Sequence, residues 1–266
     1  AYEISACLVG SEMCIRDSTS PGWLTPMRTY MDAHPETAAA QPKIHAEWAH
    51  DSFEHAGAAG GFIDRFGYPF CRGRLLNVLE KDHGQYDTVR SLFWATGAAL
   101  MVRPADWNAV GGFDARFFAH FEEIDFCWRL RARARKIVCV TDSVVYHVGG
   151  GTLPADNPRK TYLNFRNSLT MLYKNLPDDE LQHVLSVRKW LDAMAWFKFF
   201  VSGDFANAKA VRRARKDFHK WQHQFDPERK KNLENTTLFD IPERIQRSLI
   251  YAFYVQGKKT FAQFMS

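Results

Sequence analysis

Apolar positions recur at helical spacing from residue 122 to residue 135. Ile124, Cys127, Trp128 and Leu130 fall on one side, which predicts an amphipathic helix. Other stretches carry different signals. Residues 20–34 read as a helix capped by Ser20, with Pro21 at its first position and a stop at His34–Pro35. Residues 38–44 read as a short buried strand. Residues 45–90 read as loop, punctuated by Gly57, Gly60, Gly61, Gly67, Gly73 and Gly84. So long an irregular span in a compact domain points to a binding loop. Residues 91–104 predict a strand interrupted by Gly97, and a short helix follows over 104–110. Two strands, 136–140 and 143–148, flank Thr141 and Asp142. After Gly149–Gly151 the pattern turns wholly helical: 158–176, 178–202, 205–224 and 241–263. Alternating strands and helices predict an α/β fold with helices on a mostly parallel sheet. Pro177 marks the start of a helical C-terminal region, and no internal repeat is visible.

Composition narrows this modestly. The chain has 266 residues and is 46% hydrophobic, enough to bury one large core with or without an appendage. The net charge of +5 permits acidic partners such as nucleotide phosphates or anionic lipid and demands none. No recognition motif accompanies the basic residues, so nucleic acid is not an expected partner. Five cysteines with no CxxC pair argue against a disulfide framework and for a reducing, cytoplasmic setting. No apolar run approaches the length of a membrane span. Residues 1–18 show neither period and no turn punctuation, and are expected to be a non-native segment.

The chemistry concentrates in two places. Glu122, Glu123 and Asp125 lie within four residues at a helix start, and His147 closes a β-branched strand. Carboxylates and an imidazole that converge on one cleft can bind a hard divalent cation and hold a general base. The same acids could simply complement the helix dipole, for about 0.3–1 kcal/mol each. Asp125 and Arg129 are also spaced to pair along the helix. Trp94 and Trp128 offer ring faces to a sugar or to the core. Asp114 can contact a substrate or shape its GGFD turn. Arg166 can meet phosphate or lie on a solvated face. From 186 to 231 aromatic and basic residues alternate, as in helices that rest on an anionic membrane surface.

Ordered motifs carry a family resemblance. They are PGWL (21–24), QPKI (41–44), GGFIDRFGYPFCRGR (60–74), FWATGAALMVR (93–103), GGFD (111–114), FEEIDFCWRL (121–130), VVYH (144–147), GGGTLP (149–154) and RKTYLNFRN (159–167). Together they resemble family-2-type glycosyltransferases of the GT-A fold, in the rhamnosyltransferase-like branch. The resemblance covers about residues 19–176. It implies an inverting transfer from a nucleotide-diphospho-sugar to a cell-surface glycan acceptor, lipid-linked, with Mg²⁺ or Mn²⁺. It places the catalytic base at Glu123, where the family more often has aspartate, flanked by Glu122 and Asp125. His147 matches the histidine that completes the metal site. Trp94, Gly97, Gly112, Asp114, Trp128 and Arg166 fall in the matched segments as acceptor- or substrate-binding candidates.

One departure matters. The family's donor half, which ends in an acidic metal motif before PGWL, has no counterpart except Asp17. The expected organisation is therefore a partial GT-A domain over 19–177 and a basic, amphipathic helical region over 178–266. A protein lacking its donor half would expose apolar faces. Two rivals remain at this level: a non-catalytic glycan- or membrane-binding module, and a metal-dependent hydrolase built on Glu122, Glu123, Asp125 and His147.

Overall fold

A computed structural model describes residues 17–149 and 157–266. Its elements in chain order are β1 (Ser18–Thr19), α1 (Leu24–Ala33), β2 (Thr37–Ala46), β3 (Ala49–Phe53), β4 (Gly61–Asp64), β5 (Pro69–Cys71), β6 (Arg74–Leu75), β7 (Val78–Leu79), β8 (Arg90–Ser91) and β9 (Met101–Val102). There follow α2 (Pro104–Val110), α3 (Glu122–Ala132), β10 (Lys136–His147), α4 (Pro158–Asn175), α5 (Asp178–Val201), α6 (Phe205–Trp221), α7 (Asp226–Glu234), β11 (Arg244–Ile245), α8 (Leu249–Tyr254) and α9 (Phe261–Met265).

The first sheet runs β1-β10-β2-β3, with β8 on β10 and β9 on β2. Its centre is the parallel pair β10–β2, and the described neighbours of that pair are antiparallel. The expected mostly parallel sheet is thus a mixed one. All ten residues of β2 are buried, as a central strand covered on both faces requires. Its polar members are compensated: Lys43 pairs with Asp82 at 2.7 Å and with Asp87, and His45 Nε2 lies 2.9 Å from Asp82.

The second sheet, β11-β4-β5-β6-β7, corrects the reading of 45–90 as loop. Its strands are two to four residues long, too short for a visible alternation. They are held by an aromatic core of Phe62, Phe70, Phe261 and Phe264. The last segment therefore packs into the same core as the rest of the chain. It is also not the single helix expected over 241–263. It is β11, which runs parallel to β4, then two short helices parted by Gly257 at φ +71°. Thr260 starts the second with a capping box to Gln263.

Three boundaries differ for local reasons. Gly22 sits at φ +78°, so the first helix begins only at Leu24, with Trp23 ahead of it offering no side-chain cap, and not at a Ser20 cap. The two strands expected around Thr141–Asp142 are one strand, β10. Cys139 faces Gln41 but Val144 faces Lys43, so the surplus residues form a bulge, of which Asp142 is exposed and Val140, Thr141 and Ser143 are buried. The strand expected over 91–104 is an irregular stretch with a 3-10 turn, Gly97–Ala99, between the short β8 and β9. The segment 225–240, to which the sequence assigns no element, contains α7.

Candidate active site

The turn that delivers the acids is conformationally costly. Helix α2 ends at Gly111 and Gly112, both with positive φ, and a Cβ on Gly112 would overlap the Trp107 ring. Asp114 then caps the 3-10 turn Ala115–Phe117 by accepting from the Arg116 N–H at 3.1 Å. Phe118, His120 and Phe121 follow at φ +68°, +68° and +73°. Non-glycine residues in that region cost about 1–3 kcal/mol each unless their surroundings hold them there. The surroundings are α4. Asn167 Nδ2 donates to the carbonyls of Phe117, Ala119 and His120 at 3.0, 2.8 and 2.7 Å. Arg166 donates to the carbonyls of Arg116 and Phe117 at 3.1 and 2.9 Å. Arg166 is therefore a buried clamp on this turn, which corrects its reading as a phosphate-binding residue on an open face.

Phe121 is the N-cap of α3, and its side chain makes no capping bond. The next two residues are Glu122 and Glu123. In each, Oε2 is sealed from solvent and has no hydrogen-bond partner. Burial, reinforced by the neighbouring Glu122 charge, pushes the Glu123 carboxyl up to about 8. Burial also raises Glu122. His120 Nε2 is likewise buried and unpartnered; burial first, and the charge of Lys160 second, pull that imidazole down to about 4. Gly97 borders this cluster: a Cβ there would stand 3.9 Å from the Glu123 Cβ. A side chain at that position would rest against Glu123 in ordinary van der Waals contact.

Asp125 is not part of that cluster. It is fully buried, accepts from Arg129 Nε at 3.0 Å and Lys174 Nζ at 2.9 Å on Oδ2, and accepts from Asn175 at 2.8 Å on Oδ1. Its place among the catalytic candidates is corrected to that of an internal ion pair. Asp114 shares Lys174, at 2.9 Å, and pairs with Arg116 at 2.7 Å. Burial works against its charge, but those two cations prevail and hold its carboxyl well below the usual range. Its role is to shape the turn. Trp94 and Trp128 are core residues and present no face to a sugar. Trp94 donates to the Phe62 carbonyl at 2.9 Å, and Trp128 packs edge-on to Phe93 with centroids 5.3 Å apart.

His147 lies elsewhere on the sheet. It is buried at the end of β10, and its Nδ1 lies 2.7 and 2.9 Å from the two carboxylate oxygens of Asp17. The Val148 N–H also donates to Asp17 at 3.2 Å. Ser18 and Thr19 add β1 to that edge by pairing with Tyr146 and Val145. Asp17 and Ser18 are thus built into the sheet although they belong to the segment expected to be non-native. Residues 1–16 lie outside the described residues, as do 150–156 of the GGGTLP motif. His147 shares a strand face with Val145 two residues earlier. Val145 packs with Ile44 and Ala99, and Ala99 closes the turn that Gly97 opens. Among the described residues no three His, Cys, Asp or Glu side chains converge as a metal cage. The metal-binding quartet Glu122, Glu123, Asp125 and His147 is therefore not assembled. Asp17 with His147 is the pair whose chemistry suits a divalent cation, since Mg²⁺ commonly takes one or two protein ligands and completes its shell with phosphate oxygens and water.

Sequence reasoning missed Asn167, Lys174 and Asn175. The available signal was a polar stripe on α4 at helical spacing, facing an acid-rich helix.

No family model matches the chain. In sequence it is 25% identical over 136 residues, 51% of its length, to the O-antigen biosynthesis protein RfbC of Myxococcus xanthus. The match spans 10% of that relative. In structure it is similar to GalNAc-T7, crystallised with UDP, GalNAc and Mn²⁺, over 85% of this chain and 40% of that one. The TM-score is 0.48 and the identity 11%, a likeness of general outline. The sequence match joins the motifs and the mixed α/β sheet in supporting the resemblance to a GT-A glycosyltransferase.

Proposed function

We propose that this chain carries the catalytic-base side of an inverting glycosyltransferase. The donor is a nucleotide-diphospho-sugar, the acceptor is a lipid-linked glycan of the cell surface, and the setting is cytoplasmic. The observation that carries the reading is the Glu123 carboxyl, whose Oε2 is sealed from solvent and meets no donor, which burial raises to about 8, and whose neighbour across the turn is the glycine at 97. A structural acid in a folded protein has partners, as Asp125 does. One with an oxygen that meets no donor, beside a second such acid and a neutral histidine, suits proton transfer near neutral pH.

In the reaction Glu123 accepts the proton of the acceptor hydroxyl. The hydroxyl oxygen bonds to the anomeric carbon, and the bond from that carbon to the diphosphate oxygen breaks on the opposite side. The Glu122 charge keeps the Glu123 proton affinity high until substrate binds. Asp17 and His147 would hold a divalent cation, which when bound neutralises charge on the departing diphosphate.

The test is transfer from UDP- or dTDP-sugars to a lipid-linked glycan in the presence of Mn²⁺, read by mass spectrometry. Glu123→Gln should lower turnover by about 10²–10⁴. Near-full activity in that variant removes Glu123 from the role. Release of free sugar without any acceptor would instead favour the hydrolase.

A further inference from the structure

The far end of the α5–α6 hairpin leaves apolar side chains uncovered. Trp190, Met194, Phe197 and Val201 recur along one side of α5, and Phe205 opens α6. Trp190 is 73% exposed, Phe197 58%, Val201 64% and Phe205 62%. Exposed aromatic residues in such a cluster are unusual on a surface that faces only water. They are also ordered. Phe200 stacks on Trp196 at 5.3 Å and meets Phe205 edge-on at 5.5 Å, which ties the two helices together.

The surface continues onto α8. Lys198 Nζ lies 5.8 Å from the Tyr254 ring, and Tyr254 and Val255 are exposed as well. One turn back, Tyr251 lines a cavity of about 230 Å³ together with Arg65, Arg247 and Lys258. Arg65 Nε is buried there without a partner.

Charge decides what can cover this face. Between Ala193 and Lys216 the one acid is Asp204, which caps α6 by accepting from the Asn207 N–H at 3.1 Å. Asp192 is fully buried between Arg188 and Arg215. Lys189, Lys198, Lys209, Arg212 and Lys216 are exposed around the aromatic cluster. A second copy of the chain would bring the same cations against each other across a twofold interface. An anionic lipid surface meets both requirements, accepting the rings at the headgroup level and the cations on its phosphates. No helix among the described residues is long and apolar enough to cross a membrane, so the contact is interfacial.

We infer that the α5–α6 tip and α8 form a docking face for an anionic bilayer, with the cavity at Arg65, Arg247 and Lys258 receiving a lipid phosphate. This stands apart from the transferase reading, since it requires neither donor nor acceptor.

The experiment is co-sedimentation of the full chain with vesicles of phosphatidylcholine alone and of phosphatidylcholine with one-third phosphatidylglycerol. Binding is expected to the anionic vesicles only and to weaken in high salt. Met194→Glu with Phe197→Glu should lower it by at least about tenfold, at unchanged melting temperature because both side chains are exposed. Lys209→Glu with Arg212→Glu should lower it by about fivefold for each charge removed. Arg247→Glu with Lys258→Glu should do the same. Equal binding to both vesicle types, or wild-type binding by the Met194/Phe197 variant, overturns the inference. So does a dimer that the same variant dissolves while neither protein binds vesicles, because the face would then belong to a second copy.

Discussion

Two sets of carboxylates, at the start of α3 and on the turn that leads into it, live in opposite conditions. Asp125 and Asp114 share Lys174, and each has a further arginine, Arg129 and Arg116. Glu122 and Glu123, three and two residues before Asp125, have an oxygen each that meets no donor. The difference follows from helical geometry. Asp125 points toward α4, whose polar stripe supplies Lys174 and Asn175. Glu122 and Glu123 open the same helical turn directly after the left-handed Phe121, and Glu123 lies on the side of Gly97 instead. Charge at this helix is thus sorted by direction: one side builds the fold and the other keeps reactive capacity.

Removing an acid from each side should therefore have opposite consequences. Asp125→Ala strands buried Lys174 and Arg129, and should cost about 3–5 kcal/mol of stability by denaturant unfolding. Glu123→Gln should leave the unfolding midpoint unchanged or raised while turnover collapses. A folded, stable Asp125→Ala protein that has lost only activity would break the comparison. The pH dependence of stability sharpens it. The Glu123 carboxyl has an ordinary value of 4.5 when unfolded and about 8 when folded. Between those values the folded state holds one more proton than the unfolded one. Stability should fall as pH rises from about 4.5 to about 8, at up to about 1.4 kcal/mol per unit, and Glu123→Gln should flatten that slope. The smallest effect belongs to the turn itself. Asn167→Leu leaves Arg166 in place and should cost about 1–3 kcal/mol of stability. It should also shift the pH profile of turnover toward that of an ordinary glutamate, because Glu122 and Glu123 would reach water. An unchanged pH profile would show that the clamp serves stability alone.

Much of this was legible in the residues. The 3.6-residue period from Ile124 to Leu130 located α3, and the strand ending at His147 and the buried run at β2 were readable from their apolar character. Glu123 stood out because acids at a helix start are conspicuous in any sequence. What was hidden is long-range. Asp125 and Arg129 looked like a surface pair, and nothing local announced that Lys174, about fifty residues away, would bury them. Arg166 and Trp94 have the same side chains whether they face a ligand or a carbonyl. The strands of the second sheet are too short for any period to register. The helix breaks in the last segment depend on Gly257 and the Thr260 cap, which are visible but weak against a continuous aromatic run.

The left-handed residues Phe118, His120 and Phe121 make the turn before Glu122 a place where robustness and the proposed reactivity compete. Glycine at exposed Phe118 would relieve strain, yet it would also let the turn relax and water reach the carboxylates, whereas at Phe121 it would empty a place in the core. Selection for thermal endurance alone would then drift toward a better-folded and duller protein. A search for stabilised variants should leave 118–121 untouched and look elsewhere, on the outer faces of α6 and α7.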